Sequence, residues 1–180
     1  AANGVTLRGL RIAGSGESHD SIDAGILLEG DGHTVENNVI EDVLFGIHLK
    51  RVNSSRIVGN QVTGKPLDLG MRGDAIRLWY SRDNRVENNH FQRARDLTFA
   101  NSPDNRIAGN RFVDGRYGMH VIFSPRLRVE NNHLSHTGTG IIVLYSPDLL
   151  LRGNHVAHAL TAGGGGIVFK ESNDALVENN

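Results

Sequence analysis

The chain has 180 residues, a formal charge of −1, 22 glycines, 4 prolines and no cysteine. That length allows one domain with a real core, and the balanced charge supplies neither a basic field for nucleic acid nor an acidic tail for a cationic partner. Without cysteine, structural disulfides, thiolate metal sites and cysteine nucleophiles are excluded, and no apolar run approaches the roughly 18 residues of a membrane span.

The first ten residues, "AANGVTLRGL", carry no basic segment followed by an apolar one, so no export signal is expected within the chain. Because it starts and stops inside repeats, residues 1–180 are expected to be a single segment of something longer. An asparagine then recurs at Asn38, Asn60, Asn89, Asn110, Asn132, Asn154 and Asn180, mostly 21 or 22 residues apart. Leu10 stands where an earlier one would fall, as expected of an atypical end coil. So tight a period is the mark of a solenoid and outranks local propensity. The two longest gaps hold turn-rich insertions near 63–73 and 158–166, expected to leave one corner of the stack.

Apolar residues fall into columns counted from the asparagine. Thirteen before it come Ile47, Ile76, Leu97, Met119, Ile141 and Ile167; three before it come Val35, Ile57, Val86, Ile107, Val129, Leu151 and Val177. Further columns lie eleven before and two after. Spacings of two within each group predict short strands with one buried face, and three or four such groups per 22 residues cannot share one amphipathic helix. The predicted fold is all-β: a right-handed parallel β-helix of about seven to eight coils, ~22 residues each. A leucine-rich repeat, the nearest rival by period, would require a helical or 3₁₀ segment in each unit, and none is visible. Stacked coils place each asparagine above the next, where a buried amide is tolerable only if its hydrogen bonds are met. A serine column (Ser81, Ser102, Ser124, Ser146, Ser172) predicts a second corner.

Function must then sit on the outward positions. Twelve before the asparagine run His48, Arg77, Thr98, His120, Ile142 and Val168; ten before it run Lys50, Trp79, Ala100, Ile122, Leu144 and Lys170. The apolar middle of the second column, Trp79 to Leu144, reads as an exposed contact stripe, for a partner or for an insertion loop. Beside it lie Asp74, Arg95, Asp96, Arg116 and Tyr117. Two carboxylates with basic neighbours can do acid–base work, although capping turns and pairing with arginine are commoner roles. The nine histidines include "NHLSH" and "NHVAH" on adjacent coils, placing His133 near His155 and His136 near His158. Four imidazoles there could hold zinc or copper, or be ordinary turn residues. His48 and His120 are three coils, about 14 Å, apart and cannot share an ion. Met119 belongs to an inward column; Met71, in an insertion, offers an available thioether.

The phrases "FGIHLKRVNSSRIVGNQV", "GDAIRLWYSRDNRVENNHF", "RYGMHVIFS", "GTGIIVLYS" and "FKESNDALVENN" together resemble the NosD family, the exported β-helix proteins of nitrous oxide reductase maturation. "IRLWYS" and "RYGMH" are the specific parts; the asparagine repeat is shared by many β-helices. The resemblance implies a periplasmic, non-enzymatic protein that works with ABC transporter subunits and a copper chaperone and handles copper(I), an ion suited to imidazole and thioether. It carries over to His120 in "RYGMH", to Trp79 in "IRLWYS", and to Ile122 and Leu144, where the family pattern often has methionine. The aliphatic pair here favours a partner surface over direct copper ligation. The expected partner face is therefore Arg77, Trp79, Arg116, Tyr117, Ile122 and Leu144, and the candidate metal ligands are Met71, His120, His133, His136, His155 and His158. Two other readings stay open: a carbohydrate-active β-helix built on Asp74, Arg77 and Asp96, and a bare structural or designed solenoid. Uncapped end coils would also invite end-to-end self-association.

Overall fold

A three-residue strand with apolar centre and polar flanks can bury one side chain, so each coil has to turn soon after, and it turns at the same places on every level. In the computed structural model, which describes residues 1–159 and 164–180, the result is a parallel β-solenoid. One face is an eight-stranded parallel sheet running Thr6–Arg8, Thr34–Glu36, Arg56–Val58, Arg85–Glu87, Arg106–Ala108, Arg128–Glu130, Leu150–Arg152 and Leu176–Glu178. A second face contains Arg11–Ala13, Val39–Val43, Gln61–Gly64 and His90–Gln92. A third contains Ala24–Leu28, Phe45–Lys50, Ile76–Trp79 and Asp96–Ala100. The last two faces merge in the long strands Arg111–Ile122 and His133–Leu144, which cross the corner without a break, and they separate again at His155–Ala159 and Ile167–Lys170. The single helical turn among the described residues is the 3₁₀ segment Leu69–Met71.

The inward columns close the interior. Val35, Ile57, Val86, Ile107, Val129 and Leu151 are all fully enclosed, and Phe91 pairs in register with Phe112 across the second face. The asparagine corner is a continuous hydrogen-bonded ladder. Asn89 donates from both its backbone N–H and its Nδ2 to Oδ1 of Asn110, each at 3.0 Å. Asn110 does the same to Asn132 at 2.9 and 3.0 Å and also donates from Nδ2 to the Val86 carbonyl at 2.8 Å. The ladder continues to Asn180, while at the other end the Leu10 N–H donates to Asn38 Oδ1. The serine corner repeats the device: Ser102 N–H to Ser124 Oγ at 2.9 Å, Ser124 N–H to Ser146 Oγ at 2.8 Å. A third polar run, absent from the sequence reading, links His33, Ser55, Asn84 and Asn105 by backbone-to-side-chain bonds of 2.7–2.9 Å. Above it the same inward position is filled by buried Leu127 and Leu149.

The residue before Leu10 and before each ladder asparagine is left-handed, and its identity alternates: Gly9, Asn37, Gly59, Asn88, Gly109, Asn131, Gly153, Asn179. The alternation has a steric cause. A Cβ at Gly109 would lie 2.3 Å from Asn88 Oδ1, and one at Gly153 2.4 Å from Asn131 Oδ1. Asparagine tolerates the conformation, but its amide covers the position above, which only glycine then fits.

The insertion near 63–73 begins after Gly64, and a further excursion at 14–23, not anticipated from the asparagine spacing, leaves the same corner between Ala13 and Ala24. The two meet: the His19 ring lies 3.0 Å through Nε2 from the Met71 carbonyl and edge-on to Phe45 at 5.5 Å. The insertion near 158–166 departs after Ala159; residues 160–163 of it lie outside the described residues.

Candidate functional site

The third face carries the variable chemistry. Strand registers align Leu27, His48, Arg77, Thr98, His120, Ile142 and Val168 in one column, and Lys50, Trp79, Ala100, Ile122, Leu144 and Lys170 in another. The second column is less open than strand alternation predicts. Trp79, Ile122 and Leu144 are half-buried and Ala100 is buried.

Exposure comes from the next residue along. Tyr80, Phe123 and Tyr145 precede the corner serines with φ of 51°, 48° and 50°. Alternation would send these side chains inward; the left-handed turn throws them out, leaving them 54, 51 and 36% exposed. Phe123 and Tyr145 stack with centroids 5.0 Å apart, and Tyr80 meets Trp79 edge-on at 5.4 Å. The sequence signal is the aromatic before serine in "WYS", "FS" and "YS", a position that regular strand alternation turns inward. Aromatics in left-handed geometry cost about 1–2 kcal/mol each, a strain found where side-chain placement matters.

On the corner side of this stripe lies a charged cluster. A bulge in the pairing of 96–98 with 117–120 re-aims the chain. Asp96, fully buried, accepts from the Tyr117 N–H at 3.0 Å and from Arg116 Nε at 3.2 Å, and pairs with Arg116 Nη2 as well. Asp74, also buried, accepts from Arg95 Nη2 at 3.0 Å, and Arg95 Nε reaches toward Asp96 at 3.6 Å. Burial pushes the Asp74 carboxyl above its ordinary range against the pull of Arg95. Arg116 lies 4.4 Å over the Tyr117 ring, which meets His120 edge-on at 5.4 Å. The carboxylates are thus engaged by arginines, an arrangement suited to holding the bulge and presenting Arg116 and Tyr117.

Burial also holds the His120 imidazole below its ordinary value, opposed by Asp96 and assisted by Arg116 and Arg95. His48 is buried and drops further, to about 4, through burial and then the charges of Arg77 and Lys50. The remaining candidate ligands separate. His133 stacks on His155 at 4.7 Å and His136 lies tilted against His158 at 4.8 Å, the second pair on left-handed residues at the corner. Burial and the His155 ring lower the His133 value. These are two pairs, and no group of three or more His, Asp or Glu side chains is disposed around a metal position among the described residues. Met71 is 60% exposed on its 3₁₀ turn. No helix among the described residues is long and apolar enough to cross a membrane.

Residues 58–180, more than half of the chain, match the family described as "Periplasmic copper-binding protein (NosD)". A curated relative in Pseudomonas aeruginosa, named "Probable ABC transporter binding protein NosD", is 35% identical over 98 residues, 49% of this chain and 23% of the relative. One of the same name in Stutzerimonas stutzeri is 34% identical over 110 residues, 54% of this chain and 25% of the relative. The chain thus spans about a quarter of the length of these relatives.

Proposed function

The chain belongs to the NosD family, and from that premise we propose that it is part of a non-enzymatic periplasmic accessory protein that docks ABC transporter subunits and a copper chaperone while copper is assembled into nitrous oxide reductase. The observation carrying this reading is the strip on the third face, in which half-buried Trp79, Ile122 and Leu144 are flanked by outward Tyr80, Phe123 and Tyr145. Four coils at about 4.8 Å give this strip a length of roughly 14 Å. Aromatic and aliphatic anchors of this kind, rimmed by arginine, are what protein contacts use; Arg77, Arg116 and Tyr117 form the rim. Copper(I) is then cargo. His120, whose burial disfavours the protonated imidazole, and the exposed Met71 thioether are its candidate transient ligands, with His133, His136, His155 and His158 as outlying pairs.

Pull-down with the transporter and chaperone subunits tests the surface. Trp79→Ala and Tyr145→Ala are each expected to weaken capture by about tenfold or more, the usual effect of truncating an aromatic anchor, with His120→Ala sparing capture and reducing copper(I) uptake. Wild-type capture by both aromatic variants would remove this face from the reading.

A further inference from the structure

At the first coils of the third face, beneath the 14–23 excursion, lies a cavity of about 310 Å³. Its apolar walls are Ile22 and Leu27 on one side and Trp79 on the other, with His48, Lys50 and Arg77 between them. This volume falls at the lower end of the range for small-ligand pockets. The polar side chains in it are incompletely used. His48 is only 3% exposed, yet neither Nδ1 nor Nε2 has a hydrogen-bond partner. Arg77 Nε is buried and equally without one. Among the described residues Arg77 also makes no ion pair; its guanidinium is held 5.0 Å over the Trp79 ring. Groups of this kind, buried and unpartnered, are rare and costly in a folded protein.

We propose that this cavity binds a small organic monocarboxylate, whose charge is met by the Arg77 guanidinium beside His48 while its hydrocarbon body packs between Leu27, Ile22 and Trp79. The charge pattern selects this class. Lys50 is partly compensated by Glu29 at 3.1 Å, whereas Arg77 has no ion pair among the described residues and feels only the buried Asp74 carboxyl at longer range. Asp20 lines the same cavity and repels a second negative charge, so a ligand with one carboxylate and an apolar remainder fits better than phosphate. Ser21 is already committed, donating to Asp23 at 2.7 Å. A metal cation fits poorly, because Arg77 and Lys50 flank the imidazole and already depress its affinity for a proton.

Trp79 is the only tryptophan in the chain, so its emission reports occupancy directly. The chain is titrated with phenylacetate, acetate, phenylacetamide and inorganic phosphate. The expected result is saturable quenching by phenylacetate, with acetate and phenylacetamide each weaker by at least about tenfold, the one lacking the apolar contact and the other the charge. Arg77→Gln is expected to weaken phenylacetate by about tenfold or more, since it removes a charge-assisted bond. Leu27→Glu, at a largely exposed wall, is expected to abolish binding, with thermal unfolding confirming that both variants remain folded. Equal binding of phenylacetamide, saturation by phosphate in place of phenylacetate, absence of saturable quenching, or full affinity in Leu27→Glu would overturn the proposal. Transporter capture is read separately: its loss in Tyr145→Ala bears on docking alone, because Tyr145 lies outside the cavity.

Discussion

The asparagine corner and the insertion corner belong to the same coils, yet they are built differently. At the first, one amide occupies one position from Asn38 to Asn180, and in each internal rung Oδ1 accepts twice while Nδ2 donates at least twice. At the second, the chain departs at 14–23 and again after Gly64, bulges at Asp96, and runs straight through in Arg111–Ile122 and His133–Leu144. Beside it, one column changes from Leu27 to His48, Arg77, Thr98, His120 and Ile142. The contrast shows how a solenoid divides its labour. A ladder gains from repetition, because each rung satisfies the next. The opposite corner is free to vary, because its strands are already paired above and below through the backbone, and there the unpartnered nitrogens of His48 and Arg77 are found.

Breaking the ladder gives the largest expected effect. Asn110→Leu removes the acceptor of Asn89's N–H and Nδ2, and the donor to the Val86 carbonyl. With unsatisfied buried groups at ~1–3 kcal/mol each, the loss is about 4 kcal/mol in urea unfolding. Asn180→Ala, at an exposed rung, is expected to cost under about 1 kcal/mol. Equal losses at the two sites would show that the ladder is no stronger inside than at its end.

The variable face gives the next effect, and it depends on pH. The folded His48 value, about 4, lies below its ordinary 6.5, so the unfolded chain binds the proton first. Stability from this group is therefore complete above pH 6.5 and declines as pH falls toward 4, by about 3 kcal/mol in all. His48→Gln is expected to flatten that part of the stability–pH curve; an unchanged slope would place the titration elsewhere.

A smaller effect is expected at the left-handed position of the ladder corner. Gly109→Ala meets both a left-handed backbone and the Asn88 amide at 2.3 Å. It should cost about 1–2 kcal/mol, and Asn88→Gly in the same chain should recover part of this by clearing the contact. Purely additive costs in the double variant would mean that conformation alone, without the clash, dictates the Gly–Asn alternation.

The period, the inward columns and the alignment of Asn110, Asn132 and Asn154 were legible in the sequence, because a stacked coil forces the same residue type onto the same position at every level. So was the family resemblance, carried by "IRLWYS" and "RYGMH". Tertiary structure alone decided which outward residues meet solvent. Alternation marks Trp79 and Ala100 as outward and Tyr80 as inward, but a left-handed residue at the strand end exposes Tyr80, while Ala100 is buried between neighbouring coils. It also decided that His133, His136, His155 and His158 form two separate pairs, and that the 14–23 excursion folds back to roof His48 and Arg77. Periodicity fixes position along the coil axis and around it; whether a side chain at that position is covered depends on backbone dihedrals and on insertions that obey no period.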